Sequence, residues 1–233
     1  MNLLITGSNG FIGINLINRL SLLNKFNVFY LSRYNDIIYP YIPDKLDYVI
    51  HLASVHRVTP EKLIVNENIK INTHLIETLK KFNLKSNMLF TSSIHEKKDT
   101  FYGESKRHSS DYLKNICEEW ETEYVKLVFP NIFGPFAKPY HTSVVANFCN
   151  DIILEKKSII NNVDFELIYI NKAINAILQF RNNVNFNTQK IHLLKLHEKI
   201  YNLYHQYISN KSLIIKSSFD FELLTTLKSY MND

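Results

Sequence analysis

From residue 6 to residue 13 the chain reads Thr6-Gly7-Ser8-Asn9-Gly10-Phe11-Ile12-Gly13. The motif directly follows the apolar run Leu3-Leu4-Ile5 and opens a segment with Ile12, Leu16, Ile17 and Leu20 at helical spacing. A strand that passes into a helix through such a turn has few ways to fold. Gly7 permits the tight turn, Gly10 lets a pyrophosphate approach the backbone, and Gly13 lets the helix pack closely on the strand, while the helix N-terminus favours negative charge. The chain has only 5 glycines in 233 residues, well under the roughly 7% of average proteins. They are Gly7, Gly10, Gly13, Gly103 and Gly134, and each lies inside one of three motifs. Asn, Ile, Lys and Tyr are abundant, which reads as compositional drift that spared positions where chemistry or conformation resists change. Gly7, Asn9, Gly10, Phe11, Ile12 and Gly13 are therefore expected to hold a dinucleotide.

The pattern along the chain agrees with that reading. Strands are predicted at Asn2 to Thr6, Asn27 to Leu31, Tyr48 to Leu52, Met88 to Thr91 and Tyr124 to Val128, separated by helical patterns at 11–23, about 61–82 and 102–120. Strand and helix in alternation predict an α/β chain with a doubly wound parallel sheet of Rossmann type. Between Arg33 and Leu46 there is too little chain for a further full strand and helix, and Pro40 and Pro43 interrupt it, so the sheet is expected to be trimmed there. Beyond residue 135 the pattern is less regular, with helical stretches near 142–156, 170–182, 196–208 and 219–231. The expected organisation is a dinucleotide-binding domain over 1–135 and a smaller C-terminal substrate-binding lobe over 136–233, interleaved with the first and not independent of it.

Two further positions bear on the cofactor and the chemistry. At the end of the second strand, where a carboxylate would hold the ribose hydroxyls of NAD, stand Ser32 and Arg33. A hydroxyl and a guanidinium suit a 2′-phosphate, which favours NADPH, with NAD as the alternative. Tyr102-Gly103-Glu104-Ser105-Lys106 opens a helix after Thr91-Ser92-Ser93 at a strand end. Tyr102 and Lys106 then share one helix face. A phenol with pKa near 10 is a poor proton carrier at neutral pH unless a cation stabilises its phenolate, and Lys106 can supply that charge. Ser93 would hydrogen-bond the substrate oxygen at the carbon that receives hydride.

Composition excludes other classes. The formal net charge of +5 comes from scattered rather than clustered lysines, so a nucleic-acid partner is not expected. No run approaches the ~20 apolar residues of a membrane span. With no basic leader before Leu3, the expectation is a cytoplasmic chain. Cys117 and Cys149 are 32 residues apart without metal-like or CxxC spacing, so they read as reduced core thiols, and no metal is expected.

These motifs resemble those of the extended short-chain dehydrogenase/reductases that act on nucleotide-sugars. Val49-Ile50-His51-Leu52-Ala53 looks like that family's fourth strand, so the resemblance places Leu52, Ala53 and Ser54 beside the cofactor. Asn68 matches the asparagine of the family's central helix, and Pro130-Asn131-Ile132-Phe133-Gly134-Pro135 resembles the segment beside the nicotinamide. Within that branch the chain is similar to the N-terminal reductase domain of CapF-type capsular polysaccharide enzymes, in the short Ser93 to Tyr102 interval, in Lys138-Pro139-Tyr140 and in the run from Ser143 to Cys149. The similarity implies Pro130 and Ile132 at the cofactor, and Ser93, His95, Asn131, Lys138 and Asn147 at a UDP-sugar. It also implies a homodimer through the helices near 61–82 and 102–120. That family's C-terminal cupin domain, which performs epimerisation, has no counterpart in this sequence, and a separate epimerase is one partner that the sequence leaves open. Val128 stands where the family has Arg, and Asn171 and Lys172 stand where it has aspartates. These three departures read as altered support or substrate contacts.

A 4,6-dehydratase needs an Asp-Glu pair directly after the catalytic Ser or Thr. Here Ser93 is followed by Ile94 and His95. The function expected from the resemblance is NADPH-dependent reduction of the C4 ketone of a UDP-4-keto-6-deoxyhexose, with a 2-acetamido sugar favoured. A nucleotide-sugar epimerase with tightly bound NAD and a non-catalytic NAD(P)-binding regulator are the alternatives.

Overall fold

Five apolar runs and the amphipathic segments between them become, in the computed structural model, one parallel sheet with its crossover helices. The structure describes residues 1–32, 38–141, 143–209 and 213–231. Two units emerge, one formed by Met1–Phe129 with Ala176–Val184 and the other by Pro130–Asn175 with Asn185–Asp233.

The first unit contains β1 (Asn2–Thr6), α1 (Phe11–Leu23), β2 (Asn27–Leu31), β3 (Ile38–Tyr39), β4 (Tyr48–His51), α2 (Leu63–Lys81), β5 (Asn87–Ser93), a 3₁₀ turn at Ile94–Lys97, α3 (Phe101–Trp120) and β6 (Tyr124–Phe129). The sheet order is β3-β2-β1-β4-β5-β6, parallel except for β3. From β1 the chain moves first toward β2 and later to β4 on the other side. α2 and α3 pack together on one face of this sheet, the arrangement that right-handed crossovers from β4 and β5 give. The reversal between β1 and β4 opens a crevice at the carboxyl ends of the strands, where α/β sheets bind ligands.

Residue types explain the layering. β4 is buried throughout, as a central parallel strand covered on both faces must be. Alternate residues of the strands, Leu4, Phe29, Leu31, Val49, Met88 and Phe90, pack with Leu75, Ile76 and Leu79 of α2 and Leu113, Cys117 and Trp120 of α3. Leu3, Ile5, Ile50 and Leu89 point to the opposite face and are fully buried. Where a trimmed sheet was expected, β3 is a two-residue antiparallel edge, pairing Tyr30 with Tyr39 and Leu31 with Ile38. At the other edge the returning segment supplies Asn182, whose side-chain amide accepts from the Lys126 N–H (2.9 Å) and donates to the Tyr124 carbonyl (3.0 Å). An exposed edge is thereby capped without adding a strand.

The second unit holds β7 (Asn131–Phe133), α4 (Val144–Ile153), β8 (Asp164–Tyr169), α5 (Ile170–Ile177), within which the chain passes back to the first unit, then β9 (Gln189–His192), α6 (Leu193–Ile208) and α7 (Ser218–Lys228). Its sheet runs β7-β8-β9, the first pair parallel and the second antiparallel. α5 stops short of the expected residue 182, because Phe180 and Asn183 take left-handed backbone angles (φ 48° and 57°) that a helix does not allow. No helix among the described residues is long and apolar enough to cross a membrane.

The α2 face that covers the sheet packs into this core. Leu79 is fully buried in it, so Leu79→Ala should destabilise the protein by about 2–5 kcal/mol through lost burial and a residual cavity. Urea unfolding followed by circular dichroism will measure that loss.

Candidate active site

The turn after β1 is built against the end of β4. Gly7 has φ +70°, and a Cβ there would lie 2.7 Å from the Ala53 backbone nitrogen, so only glycine lets the two strand ends come this close. Gly10 N–H donates to the Gly7 carbonyl (3.0 Å) and closes the turn. α1 then starts from Gly10 as N-cap, with no side-chain cap and no acidic residue in its first turn. An exposed turn of backbone N–H groups at the positive end of a 13-residue helix suits a pyrophosphate. These residues fit a dinucleotide.

Ser93, Tyr102 and Lys106 are brought together by β5 and α3. Ser93 ends β5, and its hydroxyl caps the 3₁₀ turn by accepting from the His95 N–H (3.3 Å). Thr100 caps α3 by accepting from the Gly103 N–H (3.1 Å). The turn nests directly on the first turn of the helix, since a Cβ at Gly103 would lie 2.3 Å from the Lys98 carbonyl oxygen and 2.7 Å from that of His95. Arg107 donates to the Glu96 and Lys98 carbonyls (2.5 and 3.1 Å) and ties the same turn from outside. With the interval so folded, Ser93 comes close enough to the Tyr102 phenol to favour its ionised form.

The phenol is held as an acid. Burial pushes the Tyr102 pKa up to about 12, while Ser93 works in the opposite direction. Lys106 is fully enclosed: its ammonium donates to the Thr91 carbonyl (3.1 Å) and lies 4.9 Å from the Phe90 ring centroid and 5.7 Å from that of Tyr102. Burial lowers its pKa to about 8, and the negative field of Glu96 opposes the shift. The sequence suggested that Lys106 lowers the phenol's pKa. Here burial governs that group instead, and Lys106 lies beside the ring as a cation available to a phenolate once one forms.

The other expected site residues have definite places. Asn68 pins the loop after β4: its Oδ1 accepts from Val55 N–H (2.8 Å) and the Ser54 hydroxyl (3.0 Å), and its Nδ2 donates to the Val55 carbonyl (2.7 Å). His56 follows and meets the Tyr102 ring edge-on at 6.5 Å. Leu52 and Ala53 bond back to Thr6, Leu52 N–H to its carbonyl (3.3 Å) and Ala53 N–H to its hydroxyl (3.2 Å). Asn9, Phe11, Ile12 and Gly13 lie in the turn and first turn of α1. Ser32 directly follows β2, and its carbonyl meets His74 Nε2 at 3.1 Å. Arg33 lies outside the described residues. His95 is half-buried in the 3₁₀ turn.

In the second unit Pro130 precedes β7, Ile132 pairs with Ile168, and Asn131 donates to the Glu166 carbonyl (3.1 Å). Lys138 is exposed, and Asn147 accepts from the Tyr140 N–H (2.6 Å), so its side chain holds the 138–141 turn. Of the departures from the family pattern, Val128 is half-buried opposite Ser92 on β6, Asn171 is exposed, and Lys172 forms an ion pair with Glu222 (2.7 Å). Lys172 therefore has a structural partner inside this unit.

Sequence reading passed over Glu96, a half-buried carboxylate that accepts from the Ser92 hydroxyl (2.5 Å) and pairs with Lys126 (3.0 Å). It also passed over His51, Asn72 and Ser109. The signal available was their position: a histidine inside an apolar strand, and polar residues on the inward faces of α2 and α3.

Fold and site together define a class. Residues 3–194 match the NAD dependent epimerase/dehydratase family, and the chain belongs to it. Within that family it is similar to a UDP-2-acetamido-2,6-beta-L-arabino-hexul-4-ose reductase of Pseudomonas aeruginosa, 30% identical over 222 residues, covering 91% of this chain and 59% of the relative. It is also similar to the capsular polysaccharide assembling protein CapF of Staphylococcus aureus, with a TM-score of 0.80 at 25% identity over all of this chain and 66% of that one. The chain thus spans less than two thirds of either protein's length. UDP-glucose 4-epimerase of Thermotoga maritima shares the fold along nearly its whole length, with a TM-score of 0.78 at 18% identity, covering 99% of this chain and 98% of that one.

Two outcomes follow from this geometry. Gly103→Ala drives a methyl group into the Lys98 carbonyl, so it should open the turn between Ser93 and Tyr102 and destabilise the protein by about 1–3 kcal/mol, readable as a lower thermal midpoint. Lys106→Met removes a buried charge and should stabilise the protein by about 1–3 kcal/mol at pH 7. The sign follows from the lowered pKa: the cost of burying the ammonium is fully present below pH 8, and it fades as pH rises from about 8 toward the ordinary value of 10.5. The difference between wild type and variant should shrink over that interval in thermal melts.

Proposed function

We propose that the chain reduces the C4 ketone of a UDP-4-keto-6-deoxyhexose, with NADPH as hydride source and a 2-acetamido sugar as the preferred substrate. The observation that carries this reading is the buried Lys106 ammonium 5.7 Å from the Tyr102 ring centroid, with Ser93 at the adjoining end of β5. A bound nicotinamide supplies hydride to the carbonyl carbon. The chain's own residues handle the oxygen. Ser93 hydrogen-bonds it, Tyr102 gives it the phenolic proton, and Lys106 stabilises the phenolate left behind. A phenol protonated up to about pH 12 is a donor across the physiological range.

Several features support the finer parts of this proposal. The name of the Pseudomonas aeruginosa relative specifies a UDP-linked 2-acetamido hexul-4-ose and a reductase. The absence of an acidic pair after Ser93 disfavours dehydration. Ser32 and Arg33 favour a 2′-phosphate, and a structurally similar protein, RMD of Pseudomonas aeruginosa, was solved in complex with NADPH. Asn9, Leu52, Ala53, Ser54, Asn68, Pro130 and Ile132 are assigned to the cofactor, and His95, Asn131, Lys138 and Asn147 to the sugar nucleotide. The protein is proposed to work in the cytoplasm as a homodimer, with a separate epimerase beside it.

Incubation of the purified protein with NADPH and an enzymatically made UDP-4-keto-6-deoxy-2-acetamidohexose should oxidise one NADPH per sugar reduced. Tyr102→Phe should lower that rate by about 10²-fold or more. An epimerase would instead convert the sugar without net NADPH loss. Absence of turnover, or a Tyr102→Phe variant as fast as wild type, would refute the proposal.

A further inference from the structure

Four elements of the first unit meet in one buried chain of hydrogen bonds. The Ala53 N–H donates to Thr6 Oγ1 (3.2 Å), Thr6 Oγ1 meets His51 Nδ1 (2.8 Å), His51 Nε2 meets Asn72 Oδ1 (3.0 Å), and Asn72 Nδ2 donates to Ser109 Oγ (2.8 Å). Thr6, His51, Asn72 and Ser109 are 3%, 1%, 2% and 4% exposed, so water does not compete for these groups. The direction of the chain follows from its donors. Asn72 spends its amide hydrogens on Ser109 and presents Oδ1, which can only accept, so His51 must carry its proton on Nε2. Nδ1 then has a lone pair for the Thr6 hydroxyl. One neutral tautomer satisfies every partner.

The two ends of this chain lie beside the two groups of residues assigned to the site. Thr6 precedes Gly7, and Ala53 is the residue against which Gly7 closes. Ser109 lies on α3 one turn beyond Ser105, three residues after Lys106. Resting on the reading of this site as a reductase centre, we propose that His51 is a positioning residue: as a neutral Nε2–H imidazole it sets the spacing between the dinucleotide turn and the face of α3 that presents Tyr102 and Lys106. An apolar side chain of equal volume would fill the space but leave Thr6 and Asn72 unsatisfied, and a fully satisfied polar chain in a low-dielectric interior commits its ends to one geometry.

The surroundings keep the ring neutral. Thr6 faces it from β1, Asn72 from α2, and the Phe90 ring stacks at 6.0 Å from β5. Lys106 on α3 is the charged group that acts on it. Burial, reinforced by that ammonium and opposed by the Asn72 hydrogen bond, lowers the His51 pKa to about 4.

The test uses His51→Phe, His51→Asn and His51→Gln with the pair Thr6→Val and Ser109→Ala. His51→Phe should fold, keep the KM for the keto sugar within about twofold, and lose at least about tenfold in kcat, since displacements near 1 Å cost up to about 10²-fold. His51→Asn keeps an acceptor toward Thr6 and His51→Gln a donor toward Asn72, so each should recover part of that loss. Thr6→Val and Ser109→Ala do not touch one another, yet their effects on the dissociation constant of NADPH should be non-additive. In the wild type, ¹⁵N-resolved imidazole signals should report a neutral Nε2–H ring from pH 5.5 to 8. An imidazolium or an Nδ1–H tautomer in that interval, additive Thr6 and Ser109 effects, or a folded His51→Phe variant with wild-type kcat would overturn the proposal. If His51→Phe does not fold, the Asn and Gln variants and the ring signals decide it. If the wild type binds NADPH but does not turn over the sugar, the assigned reaction fails, while the tautomer and the binding cycle still judge His51.

Discussion

An ammonium group cannot be placed inside a protein without compensation, and Lys106 is placed there. Its partners are the carbonyl at Thr91, the ring faces of Phe90 and Tyr102, and the field of Glu96. Each partner demands something of the backbone. The Thr91 carbonyl that accepts from Lys106 lies in β5, two residues before that strand ends. Phe90 belongs to the core cluster shared by α2 and α3, which keeps its ring under the charge. The cost of burying the ammonium is several kcal/mol before compensation.

The same logic holds at the crevice between β1 and β4. An anion held by backbone N–H groups needs them exposed at a helix start, and a neighbouring strand end close enough to shape the turn. Gly7 against Ala53 meets the second need, and a helix with no acidic residue in its first turn meets the first. Thr6 joins this arrangement to His51, and through Asn72 the hydrogen bonds reach Ser109 on α3, so the glycine turn and α3 share one hydrogen-bonded interior.

The second unit spends its polar groups on holding itself together. Tyr140 and Ser158 both donate to the Asp151 carboxylate, which is buried at the end of α4, and Asn147 fixes the Tyr140 backbone. Lys199 and the cap residue Ser217 hold the first turn of α7 through Asp220. Lys172, where the family pattern has an acid, is neutralised by Glu222. Here an exchange of charge at one position is matched inside the same unit.

Local sequence determined the fold class, the strands and helices of the first unit, the glycine turn and the Tyr102 to Lys106 spacing, because each rests on periodicity or on a conformational need that few residues meet. The ends of elements were less legible: α5 stops where Phe180 and Asn183 turn left-handed, and β3 exists only because β2 has a free edge to pair with. Tertiary structure alone decided which way the phenol's acidity moves, since burial is a property of the assembled interior and no spacing of Tyr and Lys encodes it. It also decided that His51, Asn72 and Ser109, from a strand and two helices, form one chain with Thr6. Their separations in sequence, 45, 21 and 37 residues, hold no local signal. Only packing two helices on one face of the sheet brings those donors and acceptors within reach.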